Sequence, residues 1–259
     1  MPGDTILVER LGRVLRVTFN RPAARNAMTF AMYERLYAIC DEIDADRELR
    51  CVVFTGAGNE AFVAGTDISE FRGFGEEAEA LDYERRMERV FARLEDVKIP
   101  ILAAIAGACT GGGAGIAAAC DLRIAGPSAR FGFPVARTLG NCLSIGNYAR
   151  FVRLIGAGQV KQMLYTAELF GARRMYDLGF INEVTESDES VAARALEIAN
   201  QIAANAPLTI SATKEALRRI ARGQTSGGED LILRCYTSSD FREGMTAFLE
   251  KRPARWRGE

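Results

Sequence analysis

Between Ile99 and Cys120 the chain carries no Asp, Glu, Lys or Arg. A charge-free run of this length meets the requirement of about 20 residues for crossing a bilayer. Two features argue against a membrane span. Pro100 and the triplet Gly111-Gly112-Gly113 interrupt the run, and it is built from Ala and Gly more than Leu. The segment therefore reads as a buried strand over Ile101–Ile105, a glycine turn, and a buried helix over Ala114–Ala119. A strand hidden on both faces needs a layer on each side of its sheet, and that requirement points to an α/β architecture.

Neighbouring patterns agree. Cys51–Thr55 is a second wholly apolar strand, Leu122–Ala125 a third, and Ile6–Glu9 with Val14–Phe19 forms a hairpin across Leu11-Gly12-Arg13. From Ala27, the spacing of Met28, Met32, Leu36, Ile39 and Ile43 predicts a helix. Residues 76–96 are charged apart from a stripe of Leu81, Met87, Phe91 and Leu94, which predicts a surface helix. Helical patterns continue over 145–154, 159–166, 172–178, 190–204, 209–222, 228–236 and 238–250. Strands and helices alternate through the first two thirds and helices fill the last. The expected organisation is an α/β core over residues 1–195 and a helical C-terminal region over 196–259.

Composition removes several kinds of chemistry. Lys and Arg number 33 against 34 Asp and Glu, a net charge of −1, so no global positive field draws nucleic acid or an anionic membrane. Histidine is absent, which excludes a Ser-His-Asp triad, a Cys-His pair and any His-ligated metal. The six cysteines form no Cys-x-x-Cys pair and read as reduced, buried thiols of a cytosolic protein, neither disulfide framework nor metal site. Met1-Pro2-Gly3-Asp4 shows no basic start or apolar run, so a cytoplasmic location is expected.

Three glycine segments remain. Gly56-Ala57-Gly58-Asn59-Glu60-Ala61 comes directly after a strand and formally matches a dinucleotide fingerprint. The chain beyond it is extended where a helix should begin, so nicotinamide binding is not supported. Thr110-Gly111-Gly112-Gly113-Ala114-Gly115 joins a buried strand to a small-residue helix. It suits either a developing oxyanion at a helix N-terminus or a tight turn packed on a neighbour. Ala61–Ile68 is a loop with Asp67 as a helix-cap candidate.

Taken together, these segments resemble the crotonase (enoyl-CoA hydratase/isomerase) superfamily. Asn20-Arg21-Pro22 with Asn26-Ala27-Met28 is similar to the family's NRPxxxNAL segment. AFVAGTDI (Ala61 to Ile68) is similar to its AFxAGxDI loop, and IAGACTGGGAGIAAACD (Ile105 to Asp121) to its glycine-rich strand and helix. Ala129-Arg130-Phe131-Gly132 matches its A-x-F-G, and SDFREGMTAFLEKR (Ser239 to Arg252) its C-terminal signature. The resemblance implies a spiral of ββα repeats and a C-terminal helical region that packs homotrimers, often paired into hexamers. It also implies an acyl-CoA thioester substrate and no separate cofactor, coenzyme A being part of the substrate. By position, the oxyanion-hole donors would be the backbone N–H groups of Thr66 and Gly112. Ala64, Gly65, Asp67, Ile68 and Gly111 would line the bend that receives the CoA moiety. Arg25 and Lys251, the latter from a neighbouring subunit, would meet its phosphates; a solvated surface charge is the other reading of each.

The sequence departs from the family where the acids should be. The two hydratase glutamates correspond to Gly115 and Val135, and the carboxylate of some isomerases to Ser144. Hydration needs one group to activate water and one to protonate the α-carbon, so isomerisation, decarboxylation or C–C cleavage is expected in its place. Arg137, Thr138, Asn141, Cys142 and Ser144 are the polar groups nearby. Arg137 either binds a carboxylate on the acyl group or forms a structural ion pair. Asn141 is a holder of water or substrate oxygen. Cys142 is a nucleophile or acid, or else an inert buried thiol. Asp67 and Glu70 flank the oxyanion loop, where the family uses the aspartate structurally. A CoA-binding paralogue without turnover is the reading from another functional class. RNA binding is disfavoured by the near-zero charge.

Overall fold

The computed structural model describes residues 4–72 and 74–259. Met1-Pro2-Gly3, part of the segment in which no leader was read, lies outside them. The hairpin forms as expected from β1 (Ile6–Leu11) and β2 (Val14–Phe19), with Gly12 at φ +64° in the turn. Helix α1 (Phe30–Ala45) starts later than the apolar spacing suggests, because Met28 is drawn into a parallel bridge with Thr66. Thr29 then caps the helix, its Oγ1 accepting from the Met32 N–H at 3.3 Å.

A three-part unit then occurs three times. First come β3 (Cys51–Gly56), β4 (Ala61–Val63) and α2 (Glu77–Asp96). Next are β5 (Ile101–Ile105), β6 (Ala108–Thr110) and α3 (Gly112–Ala119). The third is β7 (Leu122–Ala125), β8 (Arg130–Gly132) and α4 (Ile145–Ile155). The charge-free run is thus divided among β5, β6 and α3, and among the described residues no helix is long and apolar enough to cross a membrane. The chain continues through α5 (Ala157–Tyr165), β9 (Phe170–Gly171), α6 (Ala172–Asp177) and β10 (Glu183–Val184). It ends in α7 (Val191–Ala203), α8 (Pro207–Ala221), α9 (Glu229–Tyr236) and α10 (Ser239–Leu249).

The first strand of each unit joins a six-stranded sheet in the order β1-β2-β3-β5-β7-β10. The second joins a four-stranded sheet, β4-β6-β8-β9. This is the ββα spiral with a helical C-terminal region that the resemblance implied. The wholly apolar strands behave as predicted. Val52 and Phe54 face the main core with Ile101, Ala103 and Ile105, while Cys51 and Val53 face a second cluster with Leu102, Ala104 and the α7 residues Val191, Ala195 and Ala199. Lys214 docks α8 on this body, its Nζ donating to Asp121 Oδ2 at 2.7 Å and to the Ile99 carbonyl at 3.0 Å.

Two expectations need correction. The buried stripe of α2 is Met87, Val90, Phe91 and Leu94; Leu81 lies a turn too early, before the helix meets the core, and is 55% exposed. The cysteines are not uniformly buried. Cys40, Cys51, Cys109 and Cys120 are, and burial pushes the thiols of Cys40, Cys51 and Cys120 up to about 12 and raises that of Cys109 well above its ordinary value. Cys235 is half-buried, and Cys142 is exposed on the loop that precedes α4. No group of His, Cys, Asp and Glu suited to a metal occurs among the described residues.

Candidate active site

Strands β4 and β6 run parallel with Val63 opposite Cys109. Thr66 and Gly112 stand the same number of residues beyond that pair, and a Cβ on Gly112 would lie 3.4 Å from Thr66 Oγ1. Gly65 and Gly111 make the turns at φ +110° and +54°, conformations that a side chain rarely tolerates. They also let the two segments approach: a Cβ on Gly111 would stand 3.4 Å from the Gly65 Cα.

Several backbone amides around these residues are committed. The Asp67 N–H donates to the Met28 carbonyl at 2.8 Å, the Gly111 N–H to Gly132 at 3.0 Å, and the Gly115 N–H to Gly111 at 3.1 Å. Among the described residues no acceptor takes the N–H of Thr66 or of Gly112. Gly112 is also the first residue of α3, so its amide belongs to the positive end of that helix. At the other end, the buried Arg123 donates to the carbonyls of Ala117 and Cys120 at 3.1 and 2.6 Å. Thr66, Gly112, Ala64, Gly65, Ile68 and Gly111 all line one cavity of about 240 Å³, as do Asn141 and Cys142. The resemblance assigned the first six to one site and Asn141 and Cys142 were the polar groups named nearby; all eight line the same cavity.

Side chains hold this main chain in place. Asn26, fully buried at φ +56°, accepts from the Arg21 N–H and donates to the carbonyls of Ala57 and Ala61 at 3.1 and 2.7 Å. It ties three loops together, which gives the Asn-Arg-Pro…Asn segment its structural purpose. Asp67 does not line the cavity. Its carboxylate accepts from the Ser69 hydroxyl and N–H at 2.7 and 3.0 Å and from Arg21 at 2.9 Å, and these bonds hold it below the usual carboxylate range. Thr66 Oγ1 lies 3.0 Å from Tyr33 Oη and 2.9 Å from Tyr83 Oη. Burial, with Tyr83 adjacent, raises the Tyr33 phenol far above its ordinary value; burial raises that of Tyr83 as well. Both therefore stay protonated and serve as hydrogen-bonding posts. Tyr33 also explains why position 112 is glycine, since a Cβ there would fall 2.0 Å from its Oη.

The three positions matched to the family's acids have different surroundings. A Cβ on Gly115 would stand 2.7 Å from the Phe91 ring, so this phenylalanine occupies the space that a side chain at 115 would enter. Val135 lines the cavity with no ionisable group. Ser144, at the position of the third acid, caps α4 by accepting from the Asn147 N–H at 3.2 Å.

Arg137 is exposed and does not line the cavity, although its neighbours Val135, Thr138 and Leu139 do. Arg25 is exposed too; its side chain lies on the surface while its carbonyl accepts from the Ala64 N–H at 3.1 Å. Lys251 is exposed just beyond α10, at φ +54°.

Sequence reasoning passed over Glu84. It is the one charged side chain among the described residues lining the cavity. Its signal was present: Glu84, Met87 and Phe91 stand at i, i+3 and i+7, one face of a helix. Asn147 was also missed. It is buried against the same cavity, and its Oδ1 has no partner among the described residues.

Residues 9–259 match the family model described as enoyl-CoA hydratase/isomerase. The chain belongs to the enoyl-CoA hydratase/isomerase family. It is 37% identical over 258 residues to the short-chain-enoyl-CoA hydratase of Clostridium acetobutylicum, with 96% of each chain covered. Among solved structures it resembles an enoyl-CoA hydratase/isomerase family protein of Hyphomonas neptunium at TM-score 0.93 and 32% identity, covering 98% of both chains. It also resembles an enoyl-CoA hydratase/carnithine racemase of Magnetospirillum magneticum at TM-score 0.91 and 31% identity, covering 99% of this chain and 96% of the other. Within the enoyl-CoA hydratase/isomerase family, then, this member has one cavity lined by Thr66 and Gly112, with no acceptor among the described residues on either N–H.

Proposed function

We propose that the chain binds an acyl-CoA with a hydrocarbon acyl group and stabilises its thioester enolate between the N–H groups of Thr66 and Gly112. The single observation that carries this reading is the pair of unclaimed amides at matched register beside one cavity. Fixed donors of this kind stabilise charge that develops during reaction, and losing one costs about 3 kcal/mol. The cavity's apolar side chains, among them Ile68, Phe71, Met87 and Phe133, suit an uncharged acyl chain.

Relatives named as hydratases point to hydration, but the two-glutamate route has no groups at Gly115 and Val135. Decarboxylation or C–C cleavage of a carboxylated acyl group needs a cation in the cavity, and Arg137 lies outside it. Isomerisation of a double bond, which moves a proton from one carbon to another, is the reaction best matched. Arg25 and Lys251 are the cations offered to the CoA phosphates. The exposed Leu233, Tyr236, Phe248 and Leu249 of α9 and α10 support assembly into a homotrimer or a dimer of trimers.

Phe91 at the closed Gly115 position favours one other reading, a CoA-binding paralogue that does not turn over. Incubation with crotonyl-CoA, a β,γ-unsaturated acyl-CoA and a carboxylated acyl-CoA, with mass spectrometry and calorimetry as readouts, separates the two. Conversion of the β,γ-unsaturated thioester supports the enzyme. Binding without product from any of them establishes the carrier, and absence of binding overturns both.

A further inference from the structure

We propose that Glu84 is the general base of this site and carries one proton between the α and γ carbons of a β,γ-unsaturated acyl-CoA. The inference rests on the enolate reading above and adds the group that moves the proton.

A capping box sets the start of α2, the Glu79 carboxylate accepting from the Glu76 N–H at 3.0 Å. The second turn then carries Tyr83 to Thr66 and places Glu84 on the cavity side with Met87 and Phe91. The same helical face thus closes position 115 with Phe91 and supplies a carboxylate closer to the helix start. The next acid along, Glu88, is already occupied: it takes both Arg150 Nη1 and Nη2 at 2.8 and 2.6 Å, and Arg150 is buried and held from its other side by Glu95. Glu84 has no ion-pair partner among the described residues. The groups around it are Tyr83 and Glu88 on α2, the Ser144 backbone, and Cys142 on the loop lining the same cavity. Burial raises its carboxyl, the Ser144 backbone partly offsets this, and the nearby Glu88 charge adds to the rise. That direction suits a group that must both take and return a proton near neutral pH.

One carboxylate closes the cycle. Glu84 takes a proton from the α-carbon, and the electrons of that C–H bond pass into the thioester carbonyl as a dienolate whose oxygen faces Thr66 and Gly112. The protonated Glu84 gives the same proton to the γ-carbon. The double bond then lies α,β to the thioester, the carboxylate is restored, and no co-reactant is used.

The test uses the full chain with a β,γ-unsaturated acyl-CoA, tracking the conjugated product by absorbance and mass spectrometry, and butyryl-CoA affinity by calorimetry. Glu84→Gln is expected to lower kcat about 10²–10⁴-fold while butyryl-CoA affinity is kept, and Glu84→Asp to recover part of the rate. The wild-type rate should rise with pH through a midpoint above the ordinary glutamate value of about 4.3, and the Gln variant should lose that rise. Near-wild-type turnover by Glu84→Gln would remove Glu84 from the chemistry and leave the enolate reading standing. Loss of butyryl-CoA binding together with turnover would overturn the proposal by making Glu84 a ligand-holding group. A wild type that binds but never isomerises would overturn the isomerase reading and this inference with it. If the Gln variant does not fold, a flat wild-type profile across that pH range overturns the proposal.

Discussion

The cavity has two unlike walls. The inner wall, Ala64–Thr66 and Thr110–Gly112, is main chain at the ends of two paired strands, pinned by Asn26, Arg21, Asp67 and Tyr33. The outer wall, from α2 and residues 133–143, is side chain: Glu84, Met87, Phe91, Val135, Asn141 and Cys142. The residues read as donors lie on the inner wall; of the positions read as departures, Val135 lies on the outer wall, Gly115 has its space filled from that wall by Phe91, and Ser144 caps α4. Main-chain donors are set by strand register and glycine turns, which tolerate little change. Proton-moving groups need only reach the same space, so they can be supplied from different elements without disturbing the fold.

Substitutions on the inner wall should therefore cost most. Gly112→Ala forces a Cβ toward Tyr33 Oη and should cut kcat by about 10²–10³, the scale of one lost oxyanion donor; steady-state kinetics with a converted acyl-CoA checks this. Gly115→Glu should not create a hydratase, because the new side chain meets Phe91. It should lower stability by about 1–3 kcal/mol as an overpacked core, read from denaturant melts, with part of the loss regained when Phe91→Ala is added. Tyr33→Phe removes one bond to Thr66 and should cost about 0.5–1.5 kcal/mol, since Tyr83 still holds the hydroxyl. On the outer wall, Cys142 should be the first thiol alkylated by iodoacetamide in the folded protein, with butyryl-CoA slowing the reaction. Labelling of Cys40 or Cys51 ahead of it would contradict the burial described. Arg137→Ala, outside the cavity, should shift stability by no more than about 0.5 kcal/mol and leave KM for an uncharged acyl-CoA unchanged.

The long sheet was legible because its strands are apolar on both faces, as the split of Val52 and Phe54 from Cys51 and Val53 shows. The short sheet was not, because β4 and β6 are three residues each and carry no alternation to read. The start of α1 was misplaced because Met28 keeps the helical spacing while pairing with Thr66. On the site, motif order located Thr66 and Gly112 from sequence alone, yet their register depends on a strand pairing that no local pattern encodes. Phe91 against Gly115 is a contact between α2 and α3, invisible until both are in place. Glu84 stood on a readable stripe but was hidden among the many acids of a charged helix. Arg137 was one of the polar groups named near the missing acids, and it is exposed outside the cavity lining.

The carbonyl stretch of butyryl-CoA labelled with heavy carbon at the thioester, recorded free and bound by difference infrared spectroscopy, reports directly on the two amides. Polarisation by Thr66 and Gly112 should move the band to lower frequency on binding, and Gly112→Ala should return it toward the free position. A bound thioester whose band stays where it lies in water would mean that these N–H groups do not hold its oxygen.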